Sequence, residues 1–526
     1  MNNFWILVKN NCLVFYGGLK TRKKGRYAAS GALMAVILLF VGFSMGSQSV
    51  MTTAALTEAG IPELSIFMSL MTALTFGLLF GLMRAANAAG SKDAELLLAL
   101  PVRRFTVVCS KVITQYIFDA PLMILILGSS VVAYYVIGGG SVGALVRGII
   151  LTLLLPMLPI ALSYMLGGVI AYLQEKFKMT SIITTAMLMM LVIGYMFVNF
   201  KTSSILASVT EAGSTNQLDM IDKIAPLSWL THFVLDGSIL PVIFSLVMLI
   251  APFCLGISIY ASAFGKPTKG YHSNSRILGF AERSPRMALL DKEVKRYLAC
   301  TIYVFNTAFG PLLLLVFAIA VAVAGPEKII SGMELPADLL VTKEITYVVL
   351  AGIFCLFPSM TSTSASSISL EGSQLWILKA HPVRTEDIFW AKYMLNILLL
   401  VPASIVASAV IGIRLQMTLV EIAGFSAVIA LLGVLVSMLG LIVNLFFPRF
   451  DWTNETAVVK QSMSVMIAMV VGFAAACIPF VVYFTLLIKS FGFMGFLAAG
   501  IVIYGLLSAG AYLFLKTAGK KLFEVL

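Results

Sequence analysis

Charge is scarce in this 526-residue chain: Asp, Glu, Lys and Arg make up 11% of it against 60% hydrophobic residues, and mean hydropathy is +1.00. A water-soluble globular protein carries about a quarter of its residues as charges, so that class is excluded. Histidine is rarer still. His232, His272 and His381 are scattered, and no cysteine pair has the short spacing of a zinc site, so no metal is expected. Of the six cysteines, Cys254, Cys355 and Cys477 fall in apolar runs, and Cys12, Cys109 and Cys300 fall on the expected cytoplasmic side. None is placed for a disulfide in an oxidising loop. The phosphate loop Gly-x-x-x-x-Gly-Lys-Ser/Thr is missing, so nucleotide binding of that kind is not expected. Gly138 to Gly143 has dinucleotide-type glycine spacing, but it joins two apolar runs and reads as an external turn. The segments expected outside are too short for a domain with its own core.

What the chain has in quantity is long apolar runs, each near the roughly 20 residues that cross a hydrocarbon core of about 30 Å. They lie near 27–45, 66–83, 113–137, 142–173, 181–200 and 240–264, then 302–324, 345–360, 395–413, 422–447, 463–487 and 493–515. Continuous apolarity favours helices over the alternating strands of a barrel. The expected fold is an all-α polytopic membrane protein of about twelve transmembrane helices, with both termini cytoplasmic. The net charge of +12 fits the positive-inside bias rather than nucleic-acid binding, and it attracts anionic lipid at the inner leaflet. No cleavable signal precedes the first run, which follows Lys20, Arg22, Lys23, Lys24 and Arg26.

A cytoplasmic signature occurs twice. Ser91 to Arg103 aligns with Gly372 to Arg384: each ends Pro-Val-Arg, and each is followed after seven residues by lysine, Lys111 or Lys392. So long a period marks a duplicated domain rather than a solenoid. Six runs per half make the repeat parallel, with a substrate path between the halves. The expected halves are 1–264 and 283–526, joined by a polar linker over 265–282. Each half opens with an amphipathic elbow helix in the interface plane, at 2–24 and 285–299. The duplicated segments, at 91–104 and 370–386, read as short helices. Their apolar ridges, Leu96 to Leu98 and Leu375 to Leu378, fit a groove on another protein or rest on lipid headgroups.

Residues for chemistry are few. Asp119 is the one ionisable group well inside an expected span, and a carboxylate at that depth faces a polar cavity or a partner. Pro156 and Pro159 should interrupt the fourth span and Pro402 the ninth, as cavity or hinge positions. Gly77 and Gly81 offer a small-residue face for close packing.

Three ordered strings carry a family resemblance: Leu290 to Tyr297 followed by Ile302 to Thr307; Ser369 to Lys379 with Pro382; and Asn444 to Glu455 with Lys460 and Gln461. With these the chain resembles the fused twelve-span permeases of bacterial ATP-binding-cassette exporters of the type-two membrane family. The first half matches less well, with Gln174-Glu-Lys-Phe177 in place of Pro448 to Trp452. The resemblance implies that two copies of a separate ATPase subunit, carrying ATP and Mg, bind beneath the permease and grip the duplicated segments as coupling helices. It assigns Glu95, Leu97, Leu98, Pro101 and Arg103 to the first docking site, and Glu371, Trp376, Leu378, Pro382 and Arg384 to the second. It further implies export of an unidentified substrate and no nucleotide-binding site, and so no catalysis, on this chain. An ion-gradient-driven transporter coupled through Asp119 is the alternative reading, and a membrane-embedded lipid enzyme ranks behind both.

Overall fold

The computed structural model describes residues 2–17, 26–88, 101–177, 185–186, 189–190, 193–194, 225–237, 239–263, 284–326, 343–452, 455–460, 462–487 and 492–526. Among these every regular element is helical, and the chain divides into two compact units, Met1–Asn274 and Ser275–Leu526. Eight helical stretches among the described residues are long and apolar enough to cross a membrane. The expected linker at 265–282, most of the expected span at 181–200 and residues 91–100 of the first short helix lie outside the described residues.

The first unit contains α1 (Asn2–Gly17), α2 (Arg26–Glu58), α3 (Glu63–Ala88), α4 (Arg104–Val136), α5 (Val142–Leu154), α6 (Met157–Phe177), α7 (Ala225–Leu235) and α8 (Ile239–Ala263). Leu70, Leu127, Val131, Leu151, Leu230 and Leu249 bring α3, α4, α5, α7 and α8 into one core. In an apolar solvent hydrophobicity gives helices no reason to associate, so hydroxyl contacts and small residues decide the packing. Ser49 on α2 meets Ser69 on α3 at 2.8 Å and donates to the Ile126 carbonyl of α4 at 3.0 Å, while Thr53 meets Ser130 at 3.2 Å. Gly77 supplies the close approach expected of it. A Cβ there would stand 2.8 Å from the Pro159 ring.

The second unit contains α9 (Pro285–Ala299), α10 (Thr301–Ala324), α11 (Lys343–Ser359), α12 (Leu375–Ala380), α13 (Thr385–Arg414), α14 (Leu419–Phe446), α15 (Met463–Val482), α16 (Phe493–Phe514) and α17 (Lys520–Val525). Helix α14 is its centre, packed by α13, α15 and α16 and buried along most of its length. Its start is fixed by a capping box: Thr418 accepts from the Glu421 amide and Glu421 accepts from the Thr418 amide. Ile405, Ile413, Val470, Val481, Val502 and Leu506 leave large apolar side chains exposed on the outer helices. Such a surface suits lipid rather than water.

Two expectations about helix shape need correction. The segment 370–386 is not one helix: a 3₁₀ turn over Ser369–Gln374 gives way to α12, and α13 starts at Thr385. Gly372, at φ +56°, breaks the chain inside the 3₁₀ turn, and Pro382 stands between α12 and α13. Pro402 does not interrupt its span; α13 runs on through it, with the proline exposed on the outer face. Pro156 does interrupt, lying in the turn between α5 and α6, and Pro159 sits in the first turn of α6.

Candidate functional site

After α11 the segment from Thr361 to Ser369 runs as broken, buried chain through the second unit. Backbone that is not helical can sit at membrane depth only if protein satisfies it. Two asparagines do most of this. The Asn396 side-chain oxygen accepts from the Thr363 amide at 3.0 Å, and its nitrogen donates to Ser437 Oγ at 2.8 Å. The Asn444 oxygen accepts from the amides of Ile368 and Ser369 at 2.8 and 3.2 Å, and its nitrogen donates to the hydroxyls of Ser369 and Ser464. Tyr303 adds a hydroxyl to the Thr363 carbonyl at 2.7 Å. Gly440 lets α14 close on the segment, since a Cβ there would collide with the hydroxyls of Ser362 and Ser364.

At the end of this segment the chain turns into α12 over a buried cluster of charges. Lys392, 1% exposed, points its ammonium from α13 at Glu293 Oε1 (2.9 Å), Glu371 Oε1 (2.8 Å) and the Ser367 carbonyl (3.0 Å). Arg296 donates to the same two carboxylates at 2.8 Å each, and Lys292 reaches Glu371 at 3.0 Å. Burial works against the Arg296 charge, but Glu293 and Glu371 outweigh it and raise the guanidinium above its ordinary pKa. One cluster therefore joins three elements: the helix α9, the 3₁₀ turn before α12 and the long apolar helix α13. Its charges hold one another. A buried ion of this kind is costly alone and tolerable only with its partners in place.

A second link lies alongside. Asp387, in the first turn of α13, accepts from Arg286 on α9 and from Arg384 at 3.1 Å. The carboxylate also sits where the N-terminal end of a helix dipole favours negative charge. The hydrogen bond to Asp387 raises Arg286 above its ordinary pKa. On the far side Trp452 donates from its indole to the Ser369 carbonyl at 2.8 Å, and a Cβ on Gly372 would come within 3.2 Å of that ring.

The result is a short helix held rigidly from below and bare above. Leu375 and Leu378 of α12 are buried, whereas Trp376 is 67% exposed and Ile377 is open beside it. Of the residues assigned to the second docking site, Trp376, Pro382 and Arg384 are exposed. Glu371 and Leu378 instead turn inward: the carboxylate is taken up by the ion cluster and the leucine by the core. In the first unit Pro101 and Arg103 are exposed, while Glu95, Leu97 and Leu98 lie outside the described residues. Asp119 is 6% exposed on α4, next to Gln115, whose Nε2 is buried without a partner. It is not alone among ionisable groups in helices of membrane length, since Lys392 and Asp387 belong to α13. Among the described residues no group of His, Cys, Asp or Glu could hold a metal ion.

Residues 327–503, about a third of the chain, match a family model described as "Putative ATP-binding cassette". No curated protein and no solved structure matches the chain. The match, with the long apolar helices, fits a transporter of the ATP-binding-cassette kind. It also corrects one expectation, that of a pure permease without a nucleotide-binding site: it points to an ATPase-related, nucleotide-binding feature on this chain. Because the phosphate loop is missing from the sequence, such a feature would use other residues.

Proposed function

We propose that the chain forms the membrane path of an ATP-driven exporter and is worked at its cytoplasmic face by two copies of an ATPase subunit. In this reading α12 is a lever. One observation carries it: a six-residue helix that leaves a tryptophan bare to solvent while its base is tied by buried charges to α9 and α13. A push on Trp376 is passed to α13 through Glu371 and Lys392 without being absorbed by a flexible loop. The segment around Pro101 and Arg103 would serve the second ATPase copy, with twelve spans arranged as two six-helix repeats in the cell membrane. ATP binding on the subunits would favour one of two states of the path, by the difference in affinity between them.

The test is reconstitution in liposomes with an ATPase encoded beside this chain. ATPase activity of the chain alone serves as the baseline for what the partner adds. The lever reading expects Trp376→Ala to lose most of the ATP-driven transport while folding and membrane insertion are kept. Unchanged transport would remove α12 from the coupling path. The buried Asp119 supports a second reading, in which an ion gradient drives transport. That reading requires transport that persists without ATP and is lost in Asp119→Asn.

A further inference from the structure

Six residues are too few for a helix to hold its own shape in water, so the angle of α12 has to be imposed by what touches it. Leu375, Leu378 and the ion cluster grip it from the membrane side. A second grip comes from α17, more than a hundred residues further along the chain. Phe523 of α17 is buried and stands edge-on to Phe389 of α13 at 5.5 Å, which fixes α17 against the start of that helix. Lys379, in the last turn of α12, then crosses to it. The Lys379 Nζ donates to the main-chain oxygen of Glu524 at 3.3 Å and lies 5.4 Å from the centre of the Phe523 ring.

Lys379 thus ties the two helices together. Trp376 and Ile377 are exposed on α12, and Val525 is 88% exposed on α17. The rim is basic: Lys379, Lys520 and Lys521 are exposed on these two helices, against the single exposed acid Glu524. Apolar residues at the centre with charge of one sign around them form a surface whose partner carries the opposite sign.

We infer that α17 is a working part of the second docking site, so that α12 and α17 together present an apolar, basic-rimmed surface to an acidic-rimmed groove on the ATPase subunit. The inference rests on the proposed docking of that subunit and extends its site to residues 520–525. The experiment measures binding of the purified ATPase subunit to the full chain in phosphatidylcholine nanodiscs at low and high salt. Reversing both rim charges, Lys520→Glu with Lys521→Glu, should weaken binding about tenfold at low salt and flatten its salt dependence. The unfolding midpoint should not move, because both lysines are exposed. Trp376→Asp is the reference variant, and it should lose the copy bound at this site, halving the stoichiometry. If the double reversal binds as the parent does while Trp376→Asp loses that copy, α17 is no part of the site and the docking proposal stands without it. If Trp376→Asp also binds normally, the docking proposal itself falls. A loss in the double reversal that appears only in nanodiscs containing phosphatidylglycerol would assign the basic rim to anionic lipid and overturn the inference.

Discussion

Lys392 carries the largest consequence of any single side chain. It is enclosed by α9, α13 and the turn before α12, and both carboxylates it meets lose a cation within 3 Å if it goes. Removing one partner from a buried ionic cluster costs about 3–5 kcal/mol, whereas replacing the partners together is far milder. Lys392→Met should therefore lower the denaturation midpoint in detergent sharply. The double variant Lys392→Met with Glu371→Gln should recover part of the loss, a non-additivity that a double-mutant cycle measures. Additive losses would show that the two groups do not share one cluster. The residue was visible in the sequence only as the lysine spaced after Pro-Val-Arg. Its role was not, because its partners Glu293 and Glu371 lie 99 and 21 residues away along the chain.

At the scale of elements, the turn into α12 depends on a backbone conformation and not on a contact. Gly372 holds φ +56° with the Trp452 ring pressed against it. A side chain there is strained by the dihedral and blocked by the indole, so Gly372→Ala should destabilise by at least about 1 kcal/mol. Coupled ATPase activity should fall with it as α12 tilts, a split that assays of folding and activity on the same preparation can resolve. A variant with parental stability and coupling would mean that the turn tolerates another path. Much of the element order was legible, because apolar runs announce helices directly: α10, α11, α14 and α16 lie where the runs at 302–324, 345–360, 422–447 and 493–515 placed them. The join at 370–386 was misread as one helix because apolar spacing carries no information about a positive φ. The resemblance puts Glu371 in the docking site; its inward turn was not legible because the cations that hold it, Arg296 and Lys392, lie 75 and 21 residues away along the chain. Asn396 and Asn444 offered a usable signal, a polar side chain inside an apolar run, which marks a group with buried partners.

On the scale of the whole molecule, both units leave large apolar side chains exposed on their outer helices, and in the second unit hydroxyl and amide groups turn inward to satisfy the broken segment. The two proposed docking segments are not equally visible. The second is described in full; in the first, the described part from Pro101 onward has exposed Pro101 and Arg103 at the start of α4. The run count and the twin Pro-Val-Arg strings are what the proposed twelve-span repeat rests on; among the described residues eight helical stretches meet the length and hydropathy of a span. The matched region begins in 327–342 and ends inside α16, so it takes in α12 and the whole broken segment. The region matched by the ATP-binding-cassette family model therefore contains the proposed lever.

The most direct measurement places Cys at position 376 in a chain freed of its six native cysteines and labels it with a membrane-impermeant maleimide. Labelling is expected in inside-out vesicles and not in intact cells, with protection when the purified ATPase subunit is added. Labelling from the outer face, or labelling at an unchanged rate with the subunit present, would contradict the proposed lever.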